Sequence, residues 1–124
     1  MYGNTIDTPK NYGNAITIVS QNRKPYTPAV ANQIHGNKVT IRSGTHGVIG
    51  AASDAGEDAD VAVSNRLYAN TYHLSNPGKD YWIWGGASRT LASVQALGQE
   101  VGSTVDGSLG YPLGLSCASL AGSR

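Results

Sequence analysis

Residues 66–74 (RLYANTYHL) form the longest stretch of strand-like sequence in this chain of 124 residues. Aromatic and β-branched residues favour strands, and successive side chains of a strand point to opposite faces of the sheet. One face would carry Leu67, Ala69, Thr71 and His73, and the other would carry Tyr68, Asn70, Tyr72 and Leu74. The sequence Asn76-Pro77-Gly78 follows, which is typical of a tight turn after a short strand.

Similar short strand candidates lie on both sides of this stretch. They are residues 15–20 (AITIVS), 38–42 (KVTIR), 48–52 (VIGAA), 60–64 (DVAVS), 81–84 (YWIW) and 113–120 (LGLSCASL). Turn signals separate them, including residues 54–57 (DAGE) and the hairpin signal Asp106-Gly107. Strands spaced by about 8 to 12 residues are typical of small all-β domains. The sequence therefore predicts a mostly β fold, a small β-sandwich or barrel.

The composition also favours short strands over long helices. Sixteen Gly and five Pro interrupt the chain, Phe is absent, and seven Tyr and two Trp supply most of the large apolar surface. An interior Gly costs a helix about 1 kcal/mol and an interior Pro about 3 kcal/mol. At most one short helix is expected, with Ser88 as its N-cap, Leu91, Val94 and Leu97 at helical spacing, and Gly98 at its C-terminal end.

The N-terminal third predicts an extended arm. It is polar and contains three prolines, which cannot donate hydrogen bonds to a sheet. Residues 2–6 (YGNTI) are echoed ten residues later by residues 12–16 (YGNAI). Two copies are too few for a solenoid, so the echo is interpreted as chance or as hairpin-like pairing. We therefore expect an arm over residues 1–35 and a compact β domain over residues 36–124.

Candidate catalytic and metal-binding residues show no pattern typical of a site. The possible soft metal ligands are His35, His46, His73 and Cys117, and none are spaced as in a zinc motif. The carboxylates within residues 54–60 lack the order of a calcium-binding loop. A nucleophile elbow and a phosphate-binding loop are both absent from the sequence. We therefore expect no enzyme activity, no cofactor and no metal site.

The charge balance excludes strong electrostatic attraction to nucleic acid or membranes. Net charge is +1, although residues 8–53 contain five basic and no acidic residues and an acidic cluster follows at residues 54–60. This asymmetry either favours contact between subunits or reflects ordinary solvated faces. The N-terminus lacks the pattern of a signal peptide, and no segment approaches the roughly 20 apolar residues that span a bilayer. We expect a soluble protein made in a cytoplasm, with no nucleic-acid or membrane partner.

Aromatic and basic side chains are the candidates for contact with a partner. They are Tyr2, Tyr12, Arg23, Lys24 and Tyr26 in the predicted arm, and Tyr81, Trp82 and Trp84 in the predicted domain. Tyr and Trp are favoured at interfaces because they combine a large ring with a polar group. For residues 81–84 three interpretations stay open. They form a core that lacks Phe, a subunit contact, or a stacking platform for a sugar or a base.

A longer pattern resembles a known family. Residues 47–50 (GVIG), 54–57 (DAGE) and 61–63 (VAV) resemble the capsid decoration, or cement, proteins of tailed phages, in which a Gly-Val strand precedes an Asp-Ala-Gly-Glu turn and a Val-rich strand. The resemblance implies a small β-barrel or sandwich that often forms trimers and reaches its neighbours with an N-terminal arm. It implies a structural virion protein that binds and stabilises the outer capsid surface, with the major capsid protein or other virion subunits as partners.

Two alternative functions remain at this point. Residues 81–86 (YWIWGG) with residues 89–91 (RTL) are similar to a stretch of contractile tail sheath proteins, which implies a self-assembling coat, tail sheath or filament subunit. A small carbohydrate-binding module with residues 81–84 as its platform is the other alternative. A virion protein is made in the host cytoplasm and needs no signal peptide. The expected location is therefore the virion, and the expected state is a homo-oligomer, a trimer by the resemblance.

Overall fold

The structure is a computed structural model that describes residues 1–8, 15–20, 30–43, 48–53 and 64–110. Ten strands and one short helix are described. The strands are β1 (Thr5–Thr8), β2 (Ile16–Ser20), β3 (Gln33–His35), β4 (Lys38–Ile41), β5 (Ile49–Ser53), β6 (Arg66–Tyr68), β7 (Thr71–Leu74), β8 (Trp82–Trp84), β9 (Ala87–Arg89) and β10 (Thr104–Asp106). The helix, α1, spans Leu91–Ala96.

The strands recur in a fixed order because the chain winds in coils. Sheet 1 has the order β1-β4-β7-β10, sheet 2 has the order β2-β5-β8-β9, and sheet 3 pairs β3 with β6. Every pairing except that of β8 with β9 is parallel. Successive coils are 33 residues apart, so that Asn4 lies beside Asn37 and Asn37 beside Asn70. The first two coils each add one strand to every sheet, the third adds β7 to sheet 1 and β8 and β9 to sheet 2, and β10 follows in sheet 1.

The predicted mostly β fold with a short helix is confirmed. The strand arrangement differs from the expected sandwich or barrel, because the strands stack in parallel along three sheets. Neighbouring parallel strands need a long connection, and here the rest of each 33-residue turn supplies it through the other two sheets. Inward-pointing side chains from all three sheets form one hydrophobic cluster between them.

Three strands within the predicted N-terminal arm belong to the sheets instead. β1 pairs with β4, β2 with β5 and β3 with β6. Ile16, Ile18 and Ile34 are buried in the core. These apolar side chains align with those of the following coils, and their burial outweighs the polar composition of the segment. The predicted division between residues 35 and 36 is therefore wrong, since both sides belong to one folded unit.

The repeat that sets this fold has a longer spacing than the ten-residue echo. Residues 2–6 (YGNTI) occupy the same place in their coil as residues 35–39 (HGNKV), 68–72 (YANTY) and 101–105 (VGSTV). Four copies at one spacing are the signature of a repeat protein. Hairpin-like pairing of the echoed segments is wrong for the described strands, because β1 and β2 lie in different sheets.

The predicted strand over residues 66–74 is two strands with a kink between them. Ala69 has a positive φ of 51°, which ends β6 before β7 begins. The kink shifts the alternation by one residue, so Leu67, Tyr72 and Leu74 are all buried. The expectation that Leu67 and Tyr72 lie on opposite faces is wrong for this reason.

Helix α1 is present but begins later than predicted. Thr90 is the N-cap, and its Oγ1 accepts the N–H of Ser93 at 3.3 Å. Ser88, the predicted cap, lies in β9, which pairs antiparallel with β8 and takes the place of a fourth parallel strand in sheet 2. Val94 is buried, and Gly98 with φ of 84° follows the helix as expected for a C-terminal cap.

A ladder of asparagine side chains holds consecutive coils in register. The backbone N–H and Nδ2 of Asn4 both donate to Oδ1 of Asn37 at 3.0 Å. Asn37 donates in the same way to Oδ1 of Asn70, at 3.0 and 3.1 Å. Asn32 and Asn65 repeat the arrangement at another corner of the coil. Because buried amides need hydrogen-bond partners, a shift of register would leave several of them unpaired.

Glu100 ends this ladder in the last described coil. Ser103 stands at the next asparagine position, where its Oγ accepts the N–H of Asn70, and Oε1 of Glu100 accepts Asn70 Nδ2 at 3.0 Å. Glu100 also accepts from Ser103 Oγ, from the Tyr72 hydroxyl and from Trp82 Nε1. It is fully buried. Burial, with the Glu100 charge as the second cause, raises the pKa of Tyr72 well above its ordinary value.

Replacing Asn37 with alanine is expected to lower the free energy of unfolding by about 2–3 kcal/mol, because the buried ladder loses the acceptor for Asn4 and one donor to Asn70. Asn4→Ala is the matched control, since Asn4 occupies the exposed end of the same ladder. Its expected loss is below about 1 kcal/mol. Urea unfolding measures both values. Equal losses in the two variants would contradict the expectation that the ladder stabilises the fold mainly through its buried hydrogen bonds.

Candidate functional site

Three of the predicted interface residues lie in the core. Tyr81 and Trp82 are 0% exposed and Trp84 is 3% exposed. The Trp82 ring meets the Tyr72 ring edge to face, with centroids 5.2 Å apart. The predicted contact surface at residues 81–84, and the sugar platform there, are therefore wrong. Of the three interpretations the core one is correct, because these rings fill the space between the sheets in a chain without Phe.

Several other candidates lie outside the described residues. They are the predicted interface residues Tyr12, Arg23, Lys24 and Tyr26, the possible ligands His46 and Cys117, and the acidic cluster at residues 54–60. The described histidines stand apart from each other in the fold. His35 stacks between the rings of Tyr2 and Tyr68, and His73 Nδ1 lies 2.7 Å from Asp106 Oδ1.

The described residues bring no group of three or more histidine, cysteine or acidic side chains together as a metal site. Asp106 is exposed, and the hydrogen bond with His73 is the main cause that lowers the pKa of its carboxyl group. The Arg42 guanidinium forms an ion pair with Asp7, with Nε 2.9 Å from Oδ1. Both contacts link neighbouring coils along sheet 1, so their first effect is to hold consecutive coils together.

The described part of the N-terminal coil, residues 1–8, 15–20 and 30–35, presents the outermost described strand of all three sheets. β1, β2 and β3 each stand at the end of the strand order. The N–H groups of Lys38, Thr71 and Thr104 each donate to a carbonyl of the preceding coil. Thr5 holds the same position in the N-terminal coil, so its N–H points away from β4 and toward the open side of the sheet.

Asparagine side chains continue this open edge. Oδ1 of Asn37 and Oδ1 of Asn65 each accept two hydrogen bonds from the preceding coil. Asn4 and Asn32 hold the same places in the N-terminal coil, and both are exposed. Their Oδ1 atoms therefore lie where an additional coil or strand would donate. The edge offers donors and acceptors in the pattern that an added strand uses.

Exposed apolar side chains concentrate on the same coil. Of the six exposed large hydrophobic residues that are described, four belong to it: Met1, Tyr2, Val19 and Val30, with exposed fractions of 50, 73, 43 and 42%. The Tyr2 ring stacks on His35 with centroids 5.2 Å apart, which leaves its other face toward the open side. An edge that no other described strand pairs, and that also exposes apolar groups, is typical of a surface that receives a partner.

The sequence predicts Tyr2 as an interface residue but does not predict the edge around it. The signal that finds the edge is the recurrence of an Asn or Ser before a strand at residues 4, 37, 70 and 103. Aligning these four positions shows which N–H and Oδ1 groups are used in the inner coils. The same alignment shows that the corresponding groups of Asn4 and Thr5 face outward.

None of the helices in the described ranges is long and apolar enough to cross a membrane. No protein-family model matches this chain, and neither a curated protein nor a solved structure matches it significantly.

Proposed function

We propose that this chain is a structural virion protein, a capsid decoration protein that binds the outer capsid surface and stabilises it. The open, apolar edge of the N-terminal coil carries the proposal. It combines three outer strands with four exposed apolar side chains. The pattern within residues 47–63 that resembles decoration proteins supplies the virion context. The proposed partner is the major capsid protein or another virion subunit.

Docking at this edge works by strand addition. A strand of the partner pairs with β1, takes the N–H of Thr5 as a donor and covers Tyr2 and Met1. Apolar area removed from water contributes about 25 cal/mol per Å² to such a contact. The described strands of this coil are already paired with the next coil, so docking orders few of their residues, and many copies on one lattice add avidity. The proposed role includes no catalytic step, and it includes a homo-oligomer, a trimer by the resemblance.

The two ends of the described solenoid favour docking over filament growth. A filament built head to tail needs one end to complement the other. At the C-terminal end the N–H of Ser103 donates back to the Glu100 carbonyl at 3.0 Å. This N–H is therefore not available to a further coil, as continuation of the asparagine ladder would require. β9 runs antiparallel there and replaces the fourth strand of sheet 2. Only the N-terminal end offers the repeating pattern within the described residues.

Thr5→Pro tests this role. Proline removes an N–H that points to the open side, so docking is expected to weaken by roughly tenfold or more while the fold keeps its internal hydrogen bonds. Thr5→Ala keeps the N–H and is expected to bind as the natural chain does. Co-sedimentation with capsid shells of the same virus, stripped of surface proteins, measures binding. Failure of the natural chain to bind, or unchanged binding by Thr5→Pro, would contradict the proposal.

The position equivalent to Thr5 in an inner coil provides the folding control. Thr71 N–H donates to the Asn37 carbonyl at 2.8 Å. Thr71→Pro is therefore expected to destabilise the fold by about 3 kcal/mol or more, whereas Thr5→Pro stays within about 1 kcal/mol of the natural chain. Urea unfolding compares the two variants. A large loss in Thr5→Pro means that its N–H is used inside the chain.

A further inference from the structure

A groove of two adjoining cavities lies beside sheet 3. One cavity has a volume of about 380 Å³ and the other of about 450 Å³, and both are lined by Arg66 and Gly98. Tyr68 and Gln33 line the first cavity, and Arg89 lines the second. Volumes of this size are typical of sites for small molecules.

The groove carries positive charge. Arg66 is exposed, and its guanidinium makes no hydrogen bond or ion pair with the described residues. Arg89 is held in place, since its Nε donates to the Trp84 carbonyl at 2.8 Å. No acidic side chain of the described residues lines either cavity. A carboxylate is the natural partner, because a guanidinium matches it with two parallel N–H donors.

An aromatic ring forms one wall of the groove. Tyr68 stacks on His35 with centroids 4.7 Å apart and an angle of 7° between the rings. The next coil has Val101 in place of a ring, so the far face of Tyr68 borders the first cavity without a ring against it. The Tyr68 hydroxyl donates to Gln33 Oε1 at 3.2 Å, which leaves Gln33 Nε2 as a donor toward the cavity. A flat apolar face beside an amide donor suits a sugar ring with its hydroxyl groups.

The backbone at the groove excludes strand addition by a peptide. The Ala69 N–H donates to the Val101 carbonyl at 2.8 Å, and the Glu100 N–H donates to the Leu67 carbonyl at 2.6 Å. The N–H of Leu67 is bound by Gln99 Oε1 at 3.0 Å. β6 therefore has no free edge facing the groove to which a peptide strand could pair.

We propose that this groove binds an acidic saccharide, independently of docking at the N-terminal edge. A sugar ring packs on Tyr68 and Val101, its carboxylate binds Arg66, and Arg89 adds positive charge for a neighbouring carboxylate. Gln33 donates to a hydroxyl. The side chains that recognise the ligand come from β3, β6, β9 and the residue after Glu100, all fixed by the solenoid.

A matched pair of ligands tests the proposal. The probes are a trisaccharide of glucuronic acid and the same trisaccharide with methyl-esterified carboxyl groups, titrated into the full chain by calorimetry. We expect the acid to bind and the ester to bind at least roughly tenfold more weakly, because the ester cannot form the charged hydrogen bond. Binding of the acid should also weaken at high salt.

Variants locate the site. Arg66→Gln is expected to reduce affinity for the acid by roughly tenfold or more, and Lys38→Gln, which removes an exposed cation from sheet 1, should leave it unchanged. A hexaglutamate peptide serves as the acidic control. No binding of the acid, equal effects of the two variants, or equal affinity for hexaglutamate would each overturn the proposal.

Discussion

Replacing Glu100 with alanine is expected to lower the free energy of unfolding by about 3–5 kcal/mol, through lost hydrogen bonds and a new cavity. Its carboxylate accepts hydrogen bonds from Asn70, Ser103, Tyr72 and Trp82 in a fully buried position. Alanine leaves these donors without an acceptor and opens a cavity. Each buried unpaired donor costs about 1–3 kcal/mol.

Glu100→Gln separates two contributions to stability, the hydrogen bonds that the carboxylate accepts and the space that the side chain fills. Oε1 serves Asn70 and Ser103, while Oε2 serves Tyr72 and Trp82. Hydroxyl groups can reverse their roles, but the amide of Asn70 and the indole of Trp82 cannot. Glutamine therefore leaves one of those two donors facing an NH₂ group, and the expected loss is about 1–2 kcal/mol.

Urea unfolding measures both Glu100 variants. A lower midpoint with an unchanged slope reports stability alone. A loss in Glu100→Gln as large as that in Glu100→Ala would show that the acceptors and charge of the carboxylate, and not the space that the side chain fills, stabilise the end of the ladder. An alanine variant as stable as the natural chain would contradict the burial of Glu100.

Gly50→Ala is expected to destabilise the fold by about 3 kcal/mol or more, because the added methyl group meets backbone. Gly50 lies in β5 opposite Ile83 of β8, and its φ is 128°. A Cβ atom there would overlap the Ile83 carbonyl oxygen, which cannot move without breaking sheet 2. The conformation and the close approach therefore both require glycine.

Gly36→Ala is the control for backbone conformation alone. Gly36 also has a positive φ, of 62°, but no atom lies within 4 Å of an added Cβ. The expected loss is about 1 kcal/mol, the cost of a left-handed conformation in an L-residue. Thermal unfolding of both variants measures the difference. Equal shifts of Tm would mean that strain, and not contact between β5 and β8, accounts for the effect at Gly50.

The strand content of this fold follows from local sequence, but the pairing does not. The alternation of Val39 and Ile41 predicts β4, and both side chains are buried as expected. Alternation of this kind is the same in parallel and antiparallel sheets, so it cannot say that β4 pairs with β1 and β7. The pairing depends on the 33-residue spacing of Asn4, Asn37 and Asn70, which a search for local turns overlooks.

The candidate site was partly predictable for a similar reason. Tyr2 and Trp82 are both aromatic residues of the kind that interfaces favour, so the sequence predicts the same role for both. In the structure Tyr2 is exposed, whereas Trp82 is fully buried. Only the position in the coil distinguishes them, because β8 is an inner strand of sheet 2 and Tyr2 precedes an outer strand of sheet 1. Glutamate is ordinarily a surface residue. The burial of Glu100 therefore becomes predictable only when the fourth coil is aligned with the asparagine ladder.

Amide hydrogen exchange at Thr5, with and without capsid shells, tests the central claim that the N-terminal coil is the docking edge. Exchange takes place in the bound state, followed by release of the chain and detection by NMR. In the free chain the Thr5 amide should exchange rapidly, while Lys38 and Thr71 are protected by their bonds to the preceding coils. We expect the Thr5 amide to become protected on binding. A Thr5 amide that exchanges equally fast in the bound and free chains would contradict it.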